Sequence, residues 1–141
     1  YFLPSIRCIR NMRNLRSGNP PGVCEMNGVC SRQYVVEADG SVYPCDFYML
    51  DVWRLGNLTV DSFPELERRR QALGFIEASC VYPPECHSCK WASLCRCGCR
   101  RDRLAMPDGR PGVNRYCGAF RSFFEYAVPK LTELVRQYGG Q

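Results

Sequence analysis

The sequence predicts a small, loop-rich α+β domain in which bound metal supplements a modest hydrophobic core. Three observations lead there. Eleven cysteines fall within 141 residues, residues 33–44 read as a β-hairpin, and an apolar stripe marks a helix at the C-terminal end. Disulfides use cysteines in pairs, so an odd total leaves at least one thiol over, and no apolar leader opens the text. A metal protein in a reducing, cytoplasmic setting is therefore expected. Hydrophobic residues make up 45% of the chain, enough for a modest core.

The elements follow in order. Tyr1 stands where a start methionine would, and Tyr1-Phe2-Leu3-Pro4-Ser5-Ile6 is apolar, so the text reads as cut from something larger. Ile6, Ile9, Met12 and Leu15 recur at a spacing of three, predicting a helix over 5–16 that ends before Gly18-Asn19-Pro20-Pro21-Gly22. Residues 1–22 are then the tail of a preceding domain or a linker. Tyr34-Val35-Val36 and Val42-Tyr43 are β-formers flanking Asp39-Gly40, a pair that accepts the positive φ of a tight turn. Cys30 and Cys45 lie just outside the two ends of this hairpin, which can bring them to one metal site.

Further on, Ser62-Phe63-Pro64-Glu65 has the signature of a helix start, with Ser62 as N-cap, and Gly74 supplies a stop. From Cys80 to Pro111 the text reads as loop, too poor in apolar residues to fold by burial alone, and bound metal can supply that stability. Phe120, Phe123, Phe124, Ala127, Leu131, Leu134, Val135 and Tyr138 form one stripe of a C-terminal helix, which Pro129 must kink or restart. The expected organisation is a domain over 23–118 with the helix of 119–141 packed on it.

The formal charge is +5, and the groups Arg68, Arg69 and Arg70, and Arg100, Arg101 and Arg103, lie among acidic residues rather than in long basic tracts. Nucleic acid is not an expected partner. No apolar run reaches the length of a bilayer crossing, so a soluble module without a membrane role is expected.

The chemistry lies in the cysteines. Cys86-x2-Cys89-x5-Cys95-x3-Cys99 places four thiols within fourteen residues, Cys24-x5-Cys30-x14-Cys45 adds three, and Cys117 is an eighth. Eight ligands make two four-cysteine sites. Soft thiolates suit zinc or iron–sulfur clusters, and four complete either a tetrahedral zinc or a [4Fe–4S] cube, so ligand number leaves the metal open. Spacing also leaves the grouping open, since Cys86 to Cys99 could form one site. His87 sits in the first spacer but is read as a solvated loop residue, because thiols are already in sufficient number.

The same order of cysteines resembles the auxiliary-cluster motif of SPASM domains, the C-terminal extensions of a class of radical S-adenosylmethionine enzymes. Within that class, Val36-Glu37-Ala38-Asp39-Gly40-Ser41-Val42-Tyr43-Pro44-Cys45-Asp46-Phe47-Tyr48, with Leu55-Gly56-Asn57 after it, is similar to the anaerobic sulfatase-maturating enzymes. The resemblance runs from about Gly22 to the C-terminal helix. It implies two [4Fe–4S] clusters with interleaved ligands: Cys24, Cys30, Cys45 and Cys99 for the first, and Cys86, Cys89, Cys95 and Cys117 for the second. Zinc could take these places in an aerobic preparation. The sequence departs from the pattern at Cys97, where glycine is expected and where a further thiol could compete as ligand. Cys8 and Cys80 match no ligand position and are read as small buried residues.

The resemblance also implies an activity: oxidation of a cysteine or serine of a sulfatase to Cα-formylglycine, in which a 5′-deoxyadenosyl radical removes a hydrogen atom, a base takes a proton and an acceptor takes an electron. Asp46, directly after Cys45, carries over as the base. The other reading of Asp46 is a turn cap after the hairpin, or a partner for a nearby arginine. The Cys-x3-Cys-x2-Cys motif that binds S-adenosylmethionine and a third [4Fe–4S] cluster is not found here, because three residues beyond Cys99 stands Asp102. The chain is thus expected to be inactive alone and to work with an N-terminal radical barrel on a sulfatase polypeptide or another peptide. Alternatives are a SPASM domain that modifies another peptide, a non-enzymatic zinc module that binds a partner or nucleic acid, and a disulfide-stapled domain.

Overall fold

The structure, a computed structural model, describes residues 24–138; the helix expected over 5–16, and Cys8, lie outside the described residues. The chain divides into two compact units, one containing residues 30–81 and the other containing 24–29 and 82–138.

In the first unit, strands β1 (Val35–Val36), β2 (Ser41–Tyr43) and β3 (Gly56–Asn57) form an antiparallel sheet in that order. Val35 pairs with Tyr43 and Val36 with Val42, which is the expected hairpin. Its loop closes through Gly40 N–H to the Glu37 carbonyl (2.9 Å) and Glu37 N–H to the Ser41 carbonyl (2.9 Å), with Gly40 at φ +84°. The Asp39 carboxylate accepts the Ser41 amide and hydroxyl, so the Asp-Gly pair supplies both the turn's acceptor and its left-handed residue.

Helix α1 (Phe63–Ala72) starts at Ser62, whose amide and hydroxyl both donate to Glu65 in a capping-box pair (2.8 and 2.7 Å). It stops at the expected place. Gly74, at φ +57°, then opens a second helix, α2 (Phe75–Ser79). Val42, Leu55 and Leu66 are fully buried, with Tyr34 packed on them, and Phe75, Tyr48 and Trp53 meet edge to face with centroids 5.0–5.6 Å apart. Arg69 grips the Asp61 carboxylate with both terminal nitrogens (2.8 Å each) and reaches the Leu55 carbonyl, fixing α1 against the strand region.

The second unit corrects the expectation of loop over 80–111. It holds α3 (Pro84–His87), α4 (Ala92–Cys95) and a further antiparallel hairpin of β4 (Arg103–Ala105) and β5 (Pro111–Asn114). The turn signal was Asp108-Gly109, where Arg110 N–H donates to the Asp108 carboxylate and Gly109 sits at φ +80°. Arginine, proline and glycine in its strands hid the alternation. Arg103 is buried because carbonyls surround its guanidinium.

Helix α5 (Cys117–Tyr138) runs without interruption through Pro129, so the chain does not restart there. Phe124 is its buried anchor, packed by Met26, Trp91, Leu94, Phe120, Phe123, Val128 and Leu131. Leu134, expected in the stripe, is exposed, whereas Val135 beside it is half-buried. Among the described residues no helix is long and apolar enough to cross a membrane.

Candidate metal centre

Local backbone geometry sets out the thiols of the second unit. Pro83 and Pro84 open α3, and Cys86 N–H closes on the Pro83 carbonyl (2.9 Å), Cys89 N–H on Cys86 (3.4 Å) and Ala92 N–H on Cys89 (3.0 Å). The two-residue spacer is therefore one link in a chain of tight turns. Cys95 ends α4. After it, Arg96 (φ +47°) and Cys97 (φ +63°) form the centre of a turn that Gly98 N–H closes on the Cys95 carbonyl (2.8 Å). Positive φ at both central residues is the geometry glycine adopts freely and cysteine does not, which explains a preference for glycine at position 97. Cys117 begins α5.

Cys86, Cys89, Cys95, Cys97 and Cys117 together line one cavity of about 330 Å³, with Phe124 among its apolar walls. Burial first, and then the neighbouring Cys97, Cys95 and Cys117, push the Cys86 thiol up to about 12. Burial likewise raises Cys95 to about 11, although the Cys97 backbone amide favours its thiolate. Thiolates crowded in a dry pocket repel one another, so this donor set fits a soft cationic group that would neutralise them. Among the described residues no three His, Cys, Asp or Glu side chains are grouped closely enough to hold a single metal ion. The thiols that line the cavity are soft donors of the kind that hold iron–sulfur clusters.

Of the four other expected ligands, Cys24 and Cys99 lie in this unit and Cys30 and Cys45 in the other. Cys24 opens a short 3₁₀ turn (Cys24–Met26). A Cβ placed on Gly98 would lie 3.8 Å from the Glu25 carbonyl, so the neighbours of Cys24 and Cys99 meet. Arg103 holds this meeting: it donates to the carbonyls of Gly28, Cys97 and Gly98. In the other unit, Cys30 is held by a backbone bond to the buried Ser79 hydroxyl (2.8 Å). Cys45 is buried, its thiol raised to about 11 by burial, with smaller contributions from Asp46 and from Cys30. The hairpin thus brings Cys30 within electrostatic reach of Cys45.

Asp46 is exposed and occupies a turn closed by Tyr48 N–H on the Cys45 carbonyl (2.9 Å). Its carboxylate accepts the Cys45 thiol at 3.3 Å. His87 is exposed at the end of α3, with its ring 6.3 Å from that of Tyr82. Cys80, expected to be buried, is exposed: it caps α2, and its thiol donates back to the Ile76 carbonyl (3.5 Å). Arg103 carried no sequence signal as a positioning group, whereas Cys97 was marked by its departure from glycine.

The model of the SPASM family, an iron–sulfur cluster-binding domain, matches residues 24–90. Residues 24–90 therefore carry the SPASM signature. The chain is 50% identical over 112 residues to the cysteine-type anaerobic sulfatase-maturating enzyme of Clostridium perfringens, covering 79% of this chain and 30% of that protein. It is 40% identical over 132 residues to the cysteine-type enzyme of Clostridium novyi (94% and 35%), and 28% identical over 127 residues to the serine-type enzyme of Bacteroides thetaiotaomicron (88% and 30%). Its fold matches native anSMEcpe with bound AdoMet and the Kp18Cys peptide, with a TM-score of 0.80 and 42% identity over 93% of this chain and 36% of that one. The chain spans about a third of the length of these relatives. The expected likeness to the C-terminal part of the anaerobic sulfatase-maturating enzymes, and the small α+β fold, are borne out.

Proposed function

We propose that this chain is the auxiliary iron–sulfur and substrate-contacting part of a radical S-adenosylmethionine enzyme that oxidises a residue of a sulfatase to Cα-formylglycine. The observation that carries the reading is the cysteine-lined cavity in a chain half identical to a sulfatase-maturating enzyme. Identity is 50% and 40% to cysteine-type relatives and 28% to a serine-type one, which favours cysteine as the target residue. A reducing cytoplasm suits both the thiols and the substrate.

In this reading Cys86, Cys89, Cys95 and Cys117 hold one [4Fe–4S] cluster and Cys24, Cys30, Cys45 and Cys99 another. Such clusters, when bound, supply a one-electron acceptor. S-adenosylmethionine and a third cluster belong to the larger enzyme, whose barrel is the chain's covalent partner. Asp46 takes the proton of the target thiol. The hydrogen bond it accepts from Cys45 supports the assignment: a metal-bound Cys45 has lost its proton, so the Asp46 carboxylate is left without that donor and is available to the substrate's thiol.

The test is the full-length protein, prepared anaerobically with a sulfatase peptide bearing the target cysteine. Asp46→Asn should lower formylglycine formation, measured by mass spectrometry, by at least about a hundredfold while leaving iron content unchanged. Formation at the normal rate removes Asp46 from the chemistry. Colourless anaerobic protein that holds only zinc removes the whole reading.

A further inference from the structure

Resting on that reading, we infer that Cys97 is a reserve ligand of the second centre, able to replace Cys86 and complete a four-thiolate set with Cys89, Cys95 and Cys117. Three independent observations carry this. First, Cys97 lines the same cavity as the four proposed ligands and is only 2% exposed, so its thiol belongs to the site's wall rather than to the surface. Second, of the thiols around this cavity Cys97 acts on Cys86 most strongly, ahead of Cys95 and Cys117, so the two sulfurs are neighbours in its wall. Third, Cys97 occupies a left-handed backbone position at φ +63°. Glycine fits that position without strain, so packing alone gives no reason for a thiol there.

The buried thiol donates to the Gly112 carbonyl at 3.6 Å, a weak contact that an incoming metal bond outweighs. The exchange is balanced without an oxidant or reductant. The iron–sulfur bond to Cys86 breaks, one to Cys97 forms, and the Cys97 proton passes to the released Cys86 thiolate. Charge and electron count at the centre stay the same. A centre with such a reserve keeps its cluster when its ligand on α3 is lost or modified.

The experiment uses the full-length protein reconstituted anaerobically with iron and sulfide, reading iron per chain and the electron paramagnetic resonance of the reduced clusters. Cys97→Ala should match wild type in iron. Cys86→Ala should keep at least three-quarters of the wild-type iron with altered g-values, and adding Cys97→Ala to it should remove about four irons. Cys89→Ala, which has no neighbouring reserve, should lose about four irons by itself. Loss of about four irons from Cys86→Ala, with the other cluster's signal retained, overturns the inference. If Cys86→Ala does not fold, Cys86→Val preserves volume without a donor atom, and its iron must fall by about four when Cys97→Ala is added; an unchanged count overturns the proposal. Wild-type protein lacking the second cluster would instead defeat the reading on which the inference rests, and the two failures are distinguishable.

Discussion

Gly28 stands where two stretches of backbone touch, and nothing in its neighbourhood can give way cheaply. Its φ is +76°, and a Cβ there would lie 2.2 Å from the Arg96 carbonyl and 2.9 Å from the Tyr82 hydroxyl. Gly28→Ala therefore combines left-handed strain with a backbone clash, and it should cost at least about 2 kcal/mol in anaerobic urea denaturation. Glu67 gives a second residue-scale prediction. Arg70 first, then Tyr34, hydrogen-bond its carboxylate and hold it down at about 2, and Arg32 adds an ion pair at 3.2 Å. A depressed carboxylate stabilises the fold fully above its ordinary value of 4.5, and that contribution is lost as pH falls toward 2. The stability gap between wild type and Glu67→Gln should hold constant above about pH 5 and close below it. A gap independent of pH from 6 to 3 would contradict this.

At the scale of elements, the sequence was most readable where one short signal fixes the backbone. Asp39-Gly40 announced the first hairpin, and Ser62 with Glu65 announced α1, because each carries its own hydrogen-bond partner within three residues. The second hairpin escaped because its strands, Arg103–Ala105 and Pro111–Asn114, are held by a buried arginine and a tight turn instead of alternating β-formers. Spacing left the grouping of thiols open for a related reason: it depends on contacts between residues far apart, such as Arg103 with Gly28, which spacing does not encode. Cys86 and Cys89 were legible as a pair, whereas Cys97 became a wall of their cavity only through the turn that follows α4. Pro129 offers the element-scale test. It lies within α5, has no N–H for the Glu125 carbonyl and keeps that helix below its attainable stability. Pro129→Ala should stabilise the protein by about 1–3 kcal/mol and raise its helical circular dichroism.

The two units differ in what holds each together, and that difference is the consequence of cysteine placement for the whole molecule. Residues 30–81 enclose Val42, Leu55, Leu66 and Phe75, all nearly inaccessible, and carry the Arg69–Asp61 clamp. In the other unit, Phe124 and Pro83 are the fully buried apolar side chains among the described residues, and five thiols line the cavity beside Phe124. Short helices such as α3 and α4, four residues each, have no stability of their own. If iron bound by these thiols replaces a core, its removal must unfold the two units unequally. Chelation of iron under reducing conditions should therefore speed amide hydrogen exchange at least about tenfold across residues 84–117, while β1, β2 and α1 keep their protection. Mass-spectrometric exchange on the full-length protein, with and without iron, resolves the two regions. Equal loss in both, or unchanged protection across 84–117, would mean that hydrophobic packing rather than metal carries the cysteine-rich unit.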